Sequence, residues 1–451
     1  MFDYAQPNRD LLRRFFQLTV FNVLSNLTEP LAGLISVAFL GHLTEINDLA
    51  GVSLAAILFN FIYDNLLVLR VSTTAITAQS VGRNDSEGIL LVGLRNALIA
   101  LVIGALILIL HYPLGKLGFA FLNGSEEVTS LGLSYFNARI WGTPAVLINF
   151  VIIGWFLGRE QSGKVLLMTA IGNISNVIFN YFAIIRWNLG STGAGLSQAA
   201  SEYLTLLVGI LLVSFSINWT ILPEVIGKFW NWLAFKSTFI FNRDLLFQTL
   251  IYTFIWIIFF NLSAGLGTEV LAENSLLQQV VYLIMFIVEG IGFATETLTG
   301  NFQGQLANDQ LLPLLRISLL TSLSVGITTA ATCVFLPDTV FGLLTNHSEI
   351  IELLKHYVPW LFLILSCFSI AWILEGYFAG LAKGHFLRNA ALAAISLGFT
   401  PVAVWAWSAH SNHILWLAIS AFMATRVVAL AVQLPQTFEI ASTVDSTLDQ
   451  G

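Results

Sequence analysis

The chain has 451 residues, of which 57% are hydrophobic, 13% aromatic and only 10% charged, with a mean hydropathy of +0.81. A water-soluble domain carries roughly 25% charged and 45–50% apolar residues. The composition therefore argues against a disordered chain, a disulfide scaffold or an ordinary soluble enzyme, and leaves a polytopic membrane protein. A net charge of −7 without a basic domain argues against nucleic-acid binding. Cys333 and Cys367 both sit inside apolar segments and read as buried, inert thiols.

A membrane-crossing helix needs about 20 mainly apolar residues. By that measure spans are expected near 15–40, 49–75, 89–110, 134–157, 165–185 and 194–218, and again near 246–266, 274–298, 314–336, 356–380, 390–408 and 413–433. The predicted fold is all-α, with about twelve transmembrane helices in two six-helix lobes: 1–218, a cytoplasmic linker 219–245, and 246–435. An acidic tail, 436–451, reads as disordered. No cleavable leader is legible: Arg9, Arg13 and Arg14 precede a long apolar stretch interrupted by Asn22, Asn26 and Glu29. With both termini in the cytoplasm, only Lys116, Arg139, Arg186 and Lys355 fall outside, and Arg426 joins the basic cytoplasmic flanks.

The halves match at a constant shift of 222 residues. Tyr135 pairs with Tyr357, and Gly154-Trp155-Phe156-Leu157-Gly158 with Gly376-Tyr377-Phe378-Ala379-Gly380. Thr77-x-Gln79-x-x-Gly82 pairs with Thr299-x-Asn301-x-x-Gly304. A shift spanning an even number of helices makes the repeats parallel, an arrangement in which transporters hold substrate between the halves and alternate access by rocking.

Ionisable groups inside a membrane are costly and mark functional sites by default. Asn22, Asn26, Glu29, Gly33 and Ser36 share one face of the first span, and Glu29 adjoins Pro30. The second span carries Asn60 and Asp64, with Arg70 close enough in sequence to neutralise the acid. The fifth carries Asn173, Asn176 and Asn180. In the second half Glu289 and Glu296 lie two turns apart on one face, and Glu375 sits within another span. Such carboxylates can exchange a proton, ligate a cation or attract an organic cation. Glu269 and Glu273 read instead as solvated helix-end charges. No Walker motif, HExxH or GxSxG occurs in a plausible setting, so a gradient drives any uphill transport.

Several motifs together carry a family resemblance. They are Glu29-Pro30-Leu31-Ala32-Gly33-Leu34-Ile35-Ser36 running into Gly41-His42-Leu43, Leu49-Ala50-Gly51-Val52-Ser53-Leu54, and Arg70-Val71-Ser72-Thr73-Thr74-Ala75-Ile76-Thr77-Ala78-Gln79. Arg139-Ile140-Trp141-Gly142-Thr143-Pro144-Ala145, Gly154 to Arg159, and Glu289-Gly290-Ile291-Gly292-Phe293-Ala294-Thr295-Glu296 complete the set. On these the chain resembles the multidrug and toxic compound extrusion (MATE) family, in its DinF-like branch. The resemblance implies two six-helix lobes around a cavity and drug efflux by antiport against H⁺ or Na⁺. It also implies an altered cation site in the first lobe. Ser36 stands where an Asp is usual, Asn176 and Asn180 replace an Asn–Asp pair, and Gln198 replaces a Thr. Glu289 and Glu375 occupy positions that are commonly Asp, and Glu296 matches a family Glu.

The expected function is secondary active export of organic, mostly cationic, compounds through Glu289, Glu296, Glu375, Glu29, Asp64, Asn180, Asn176, Ser36 and Gln198. No cofactor is expected beyond the coupling ion, H⁺ or Na⁺. Expected partners are small organic molecules and membrane lipid, with a monomer in a bacterial inner membrane or its organelle equivalent. The alternative is a flippase for a lipid-linked precursor or a metabolite exporter of the same superfamily, which the acidic, Arg-poor interior argues against. A membrane enzyme would need a nucleophile–base pair or metal-ligand cluster at one depth, and no such cluster is legible.

Overall fold

The computed structural model describes residues 9–41, 46–122, 125–345 and 347–437, with a few side chains of the first helix excepted. Every element among them is helical, as a hydrocarbon solvent requires of an open chain, since only helices satisfy all their own backbone groups. In chain order they begin with α1 (Arg9–Gly41), α2 (Ile46–Leu66), α3 (Val68–Gly82), α4 (Ser86–Ile109), α5 (His111–Ala120) and α6 (Glu126–Arg139). Next come α7 (Thr143–Gly158), α8 (Ser162–Asn180), α9 (Gly190–Ser214), α10 (Leu222–Gly227) and α11 (Trp232–Leu266). The second half continues with α12 (Thr268–Gln305), α13 (Leu311–Phe335), α14 (Pro337–Gly342) and α15 (Ser348–Leu354). It ends with α16 (Trp360–Gly380), α17 (Gly384–Ala393), α18 (Thr400–Ala409) and α19 (Asn412–Ala431). Among the described residues eleven stretches, from Asn47–Gly82 to Asn412–Thr437, are long and apolar enough to cross a membrane. Helix α1 adds 33 residues with Pro30 inside.

The helices pack into two compact units, 24–239 and 240–451, the second also holding α1 up to Val23. In that second unit Asn22 Nδ2 donates to the Gly290 carbonyl at 3.4 Å, and Arg14 lies over the Phe302 ring at 5.3 Å. Its core is built on Phe259, Leu277, Leu361, Leu365 and Trp416. The unit 24–239 has smaller cores, around Phe59 and Phe136 and around Trp155 and Phe156.

The 222-residue repeat is written into the backbone. Helix starts recur at Ser162 and Gly384 and at Gly190 and Asn412, and helix ends at Gly158 and Gly380. Outside glycine, positive φ occurs at Asn84, Glu160 and Asn188 and, each 222 residues on, at Leu306, Ala382 and His410. The same helix ends therefore close with the same left-handed turn in both halves.

Both halves also share a close helix crossing. A Cβ on Gly154 or Gly158 of α7 would stand 2.5 or 2.6 Å from the Arg70 or Thr74 carbonyl of α3. On Gly376 or Gly380 of α16 it would stand 2.6 or 2.5 Å from the Gly292 or Glu296 carbonyl of α12. Small residues four apart let backbones approach, and dispersion rather than hydrophobicity holds membrane helices together.

Near the first residues of α12 a buried amide ties three helices. Asn274 Nδ2 donates to Ser263 Oγ at 2.8 Å and Asn412 Oδ1 at 2.9 Å, while its Oδ1 accepts from Asn412 Nδ2 at 3.1 Å and Trp416 Nε1 at 2.8 Å. Asn274→Leu orphans three polar groups of Asn412 and Trp416 at about 1 kcal/mol each or more, a loss near 3 kcal/mol. The purified variant is expected to melt several degrees below wild type, and an unchanged melting temperature would contradict this role.

Candidate functional site

In the unit 24–239, α8 and α9 bring three of the expected site residues together. Asn180 Nδ2 donates to Asn176 Oδ1 at 3.1 Å, and Asn176 Nδ2 donates to Gln198 Oε1 at 2.9 Å. Asn176 and Asn180 are buried, and Asn173 on the same helix donates to Thr28 Oγ1 of α1 at 2.8 Å. One helical turn beyond Gln198 stands Glu202. Buried Asn149 of α7 donates its Nδ2 to Glu202 Oε2 at 3.1 Å and to the Glu202 carbonyl at 3.0 Å. The charge of Glu202 also acts on Arg139, whose guanidinium hydrogen-bonds Tyr135 Oη at 2.9 Å and lies over the Phe59 ring at 4.4 Å. Tyr63 and Thr143 share a hydroxyl contact of 3.0 Å beside it.

The repeat separates scaffold from site here. At the positions 222 residues after Asn149, Asn176, Asn180, Gln198 and Glu202 stand Ala371, Gly398, Val402, Ser420 and Ala424. The same backbone is thus built elsewhere in the chain without amides or a carboxylate. What the cluster adds is a row of neutral donors and acceptors with one acid at its end, suited to hydrogen-bonding a polar ligand or offering oxygens to a cation. Of the other expected residues, Asp64 lies exposed in the last turn of α2. Glu29 and Ser36 are helical in α1, but their side chains lie outside the described residues.

The unit that includes 240–451 holds Glu289, Glu296 and Glu375. Glu289 is half-buried and Glu296 buried, both within α12. Glu375 of α16 meets Arg426 of α19 in a buried ion pair, with Arg426 Nε at 3.1 Å from Glu375 Oε1. Tyr252 Oη of α11 donates to the same oxygen at 2.5 Å, Gln248 donates to Tyr252 at 3.0 Å, and the guanidinium lies 4.0 Å over the Tyr252 ring. A carboxylate neutralised this fully joins three helices before it does anything else.

Two sequence-based assignments need correction. Arg426, read as a cytoplasmic flank, is 2% exposed, because Glu375 draws it into the bundle. Glu273, read as solvated, is 4% exposed, because α15 packs against that end of α12. Glu202 went unremarked; the available signal was a lone acid within an otherwise uncharged 25-residue helix.

The sequence profile of the MatE family matches residues 22–182 and 245–405, one copy in each half. DNA damage-inducible protein F of Escherichia coli is 29% identical over 421 residues, covering 93% of this chain and 91% of that protein. The probable multidrug resistance protein NorM of Thermotoga maritima is 22% identical over 342 residues, covering 73% and 71% of the two chains. Among solved folds, a crystal structure of MATE in the bent conformation superposes with TM-score 0.85 at 17% identity, covering 97% of both chains. An outward-facing multidrug resistance MATE transporter of the MOP superfamily gives TM-score 0.84 at 17% identity, covering 97% of this chain and 99% of that one. With two matches that together cover most of its length, the chain belongs to the MatE family of membrane transporters.

Proposed function

We propose that the chain exports small organic compounds, mostly cations, in exchange for H⁺ or Na⁺, by alternating access between its two halves. The observation that carries this reading is the placing of Glu289 and Glu296 inside α12, a 38-residue membrane-length helix, where a carboxylate is expensive unless it has a task. The relatives named for multidrug resistance support it. In the proposed cycle Glu289 and Glu296 hold the substrate, access alternates, and an incoming cation neutralises the two acids and releases the substrate.

Efflux of a fluorescent organic cation from cells lacking their own pumps tests it. Wild type is expected to extrude the dye, and Glu289→Gln and Glu296→Gln to lose most of the activity at unchanged expression. A protonophore arm and a sodium-free arm identify the ion, since the dye is retained in the arm that removes the driving gradient. Full efflux by both variants would sink the assignment. No efflux by well-expressed wild type would turn the search to lipid-linked precursors and native metabolites.

A further inference from the structure

Glu273 is a buried carboxylate that the proposed cycle does not use. It lies in the second turn of α12, 4% exposed, and its Oε2 is buried without a hydrogen-bond partner. Glu269, one turn earlier, is a first-turn acid favoured by the helix N-terminus, but Glu273 is past the reach of that effect. In the repeat its counterpart is Gly51, packed against the backbone at Gly132, so the fold itself asks for no acid here. An ionised carboxylate buried without a partner costs several kcal/mol, and taking up a proton removes that cost.

The surroundings are those of a proton exchange site. Histidines from other elements stand at this end of the unit: His413 lies beside Tyr357, next in sequence to His356, and His410 lines a small cavity with Asn261 and Leu266 at the end of α11. The charges that act on Glu273 are Glu269 and His356, and His356 is exposed. The other groups there are committed. Lys355 is bound by Asp338 at 2.8 Å and Glu352 at 2.6 Å, hydrogen bonds that hold its ammonium above the ordinary lysine range. His413 accepts from Trp360 Nε1 at 3.2 Å and lies against the Tyr357 ring, tilted to it, with centroids 4.6 Å apart.

We propose that Glu273 is a proton-binding carboxyl of this unit, loaded and unloaded at the end of the bundle where His356 stands, and that this exchange sets the pH dependence of transport. The proton leaves the Glu273 carboxyl for water at that end of the bundle and returns from water, with His356 as the neighbouring charge. Only the link to transport rests on the exporter reading; proton binding does not.

Infrared spectra of the full-length protein in nanodiscs test the site without transport. Near neutral pH wild type is expected to show the carbonyl stretch of a protonated carboxyl, and Glu273→Gln to lack it. In His356→Gln the band should persist to higher pH, because a nearby positive charge favouring the ionised form is gone. Equal band intensity in wild type and Glu273→Gln would overturn the proposal. Should the glutamine variant fail to fold, Glu273→Asp serves, with a shifted band expected and an unshifted one fatal. In efflux assays the wild-type rate is expected to change about five-fold between about pH 6 and pH 8, and that of Glu273→Gln by less than about two-fold. A wild-type pH profile in the variant would refute the link to transport. A wild type without efflux would fail the exporter reading, while the infrared band still decides the site.

Discussion

Arg426→Leu and Glu375→Leu are each expected to cost about 3–5 kcal/mol of stability, and the double substitution to recover most of that loss. Removing one partner strands the other: Arg426 is 2% exposed, and Glu375 would be left with the Tyr252 hydroxyl as its remaining donor among these three groups. Removing both leaves apolar side chains among Tyr252, Phe422 and Met423, which already contact the guanidinium. Thermal unfolding of purified protein, read by fluorescence-detected gel filtration, checks it. A single variant melting with wild type would show that the pair does not anchor the helices. The folded double variant then assigns Glu375: retained efflux places the pair in the scaffold, and lost efflux places it in the transport cycle.

Gly380→Val is expected to abolish folded protein, and Gly380→Ala to destabilise it by about 2 kcal/mol or more. A Cβ there would sit 2.5 Å from the Glu296 carbonyl and 2.8 Å from Thr299 Cβ, so α16 must move off α12. The Glu296 carbonyl and the Gly300 nitrogen, 3.0 Å from that Cβ, are backbone and cannot rotate away. Gly158 is expected to behave alike, since its Cβ would stand 2.6 Å from the Thr74 carbonyl. Gly227 and Gly342, with open space around them, serve as controls. Wild-type yield of monodisperse Gly380→Val would contradict the crossing geometry.

The membrane class, the helices and the repeat were legible because they depend on local composition and on self-similarity along the chain. Asn176 and Asn180 were legible as a pair because i, i+4 spacing puts them on one face; Gln198 of the next helix was legible only through the family resemblance. Arg426 was not. It stands at the end of an apolar stretch, where sequence position makes it a flank, and its partner Glu375 is 51 residues away. Glu273 was misread for the same reason: a charge near a helix start counts as solvated until another helix, here α15, closes over it. Burial of a charge is settled by tertiary packing, which no periodicity reports.

Helix α1 sets a timetable for biosynthesis. It leaves the ribosome before the other helices described, yet Asn22 donates to the carbonyl of Gly290, made 268 residues later. At about 5–20 residues per second that interval is roughly 15–50 s. For that time the amide of Asn22, deep in an apolar helix, must be met by water, lipid headgroups or the insertion machinery. The order in which the chain is made is therefore the reverse of the order in which its first helix can finish packing.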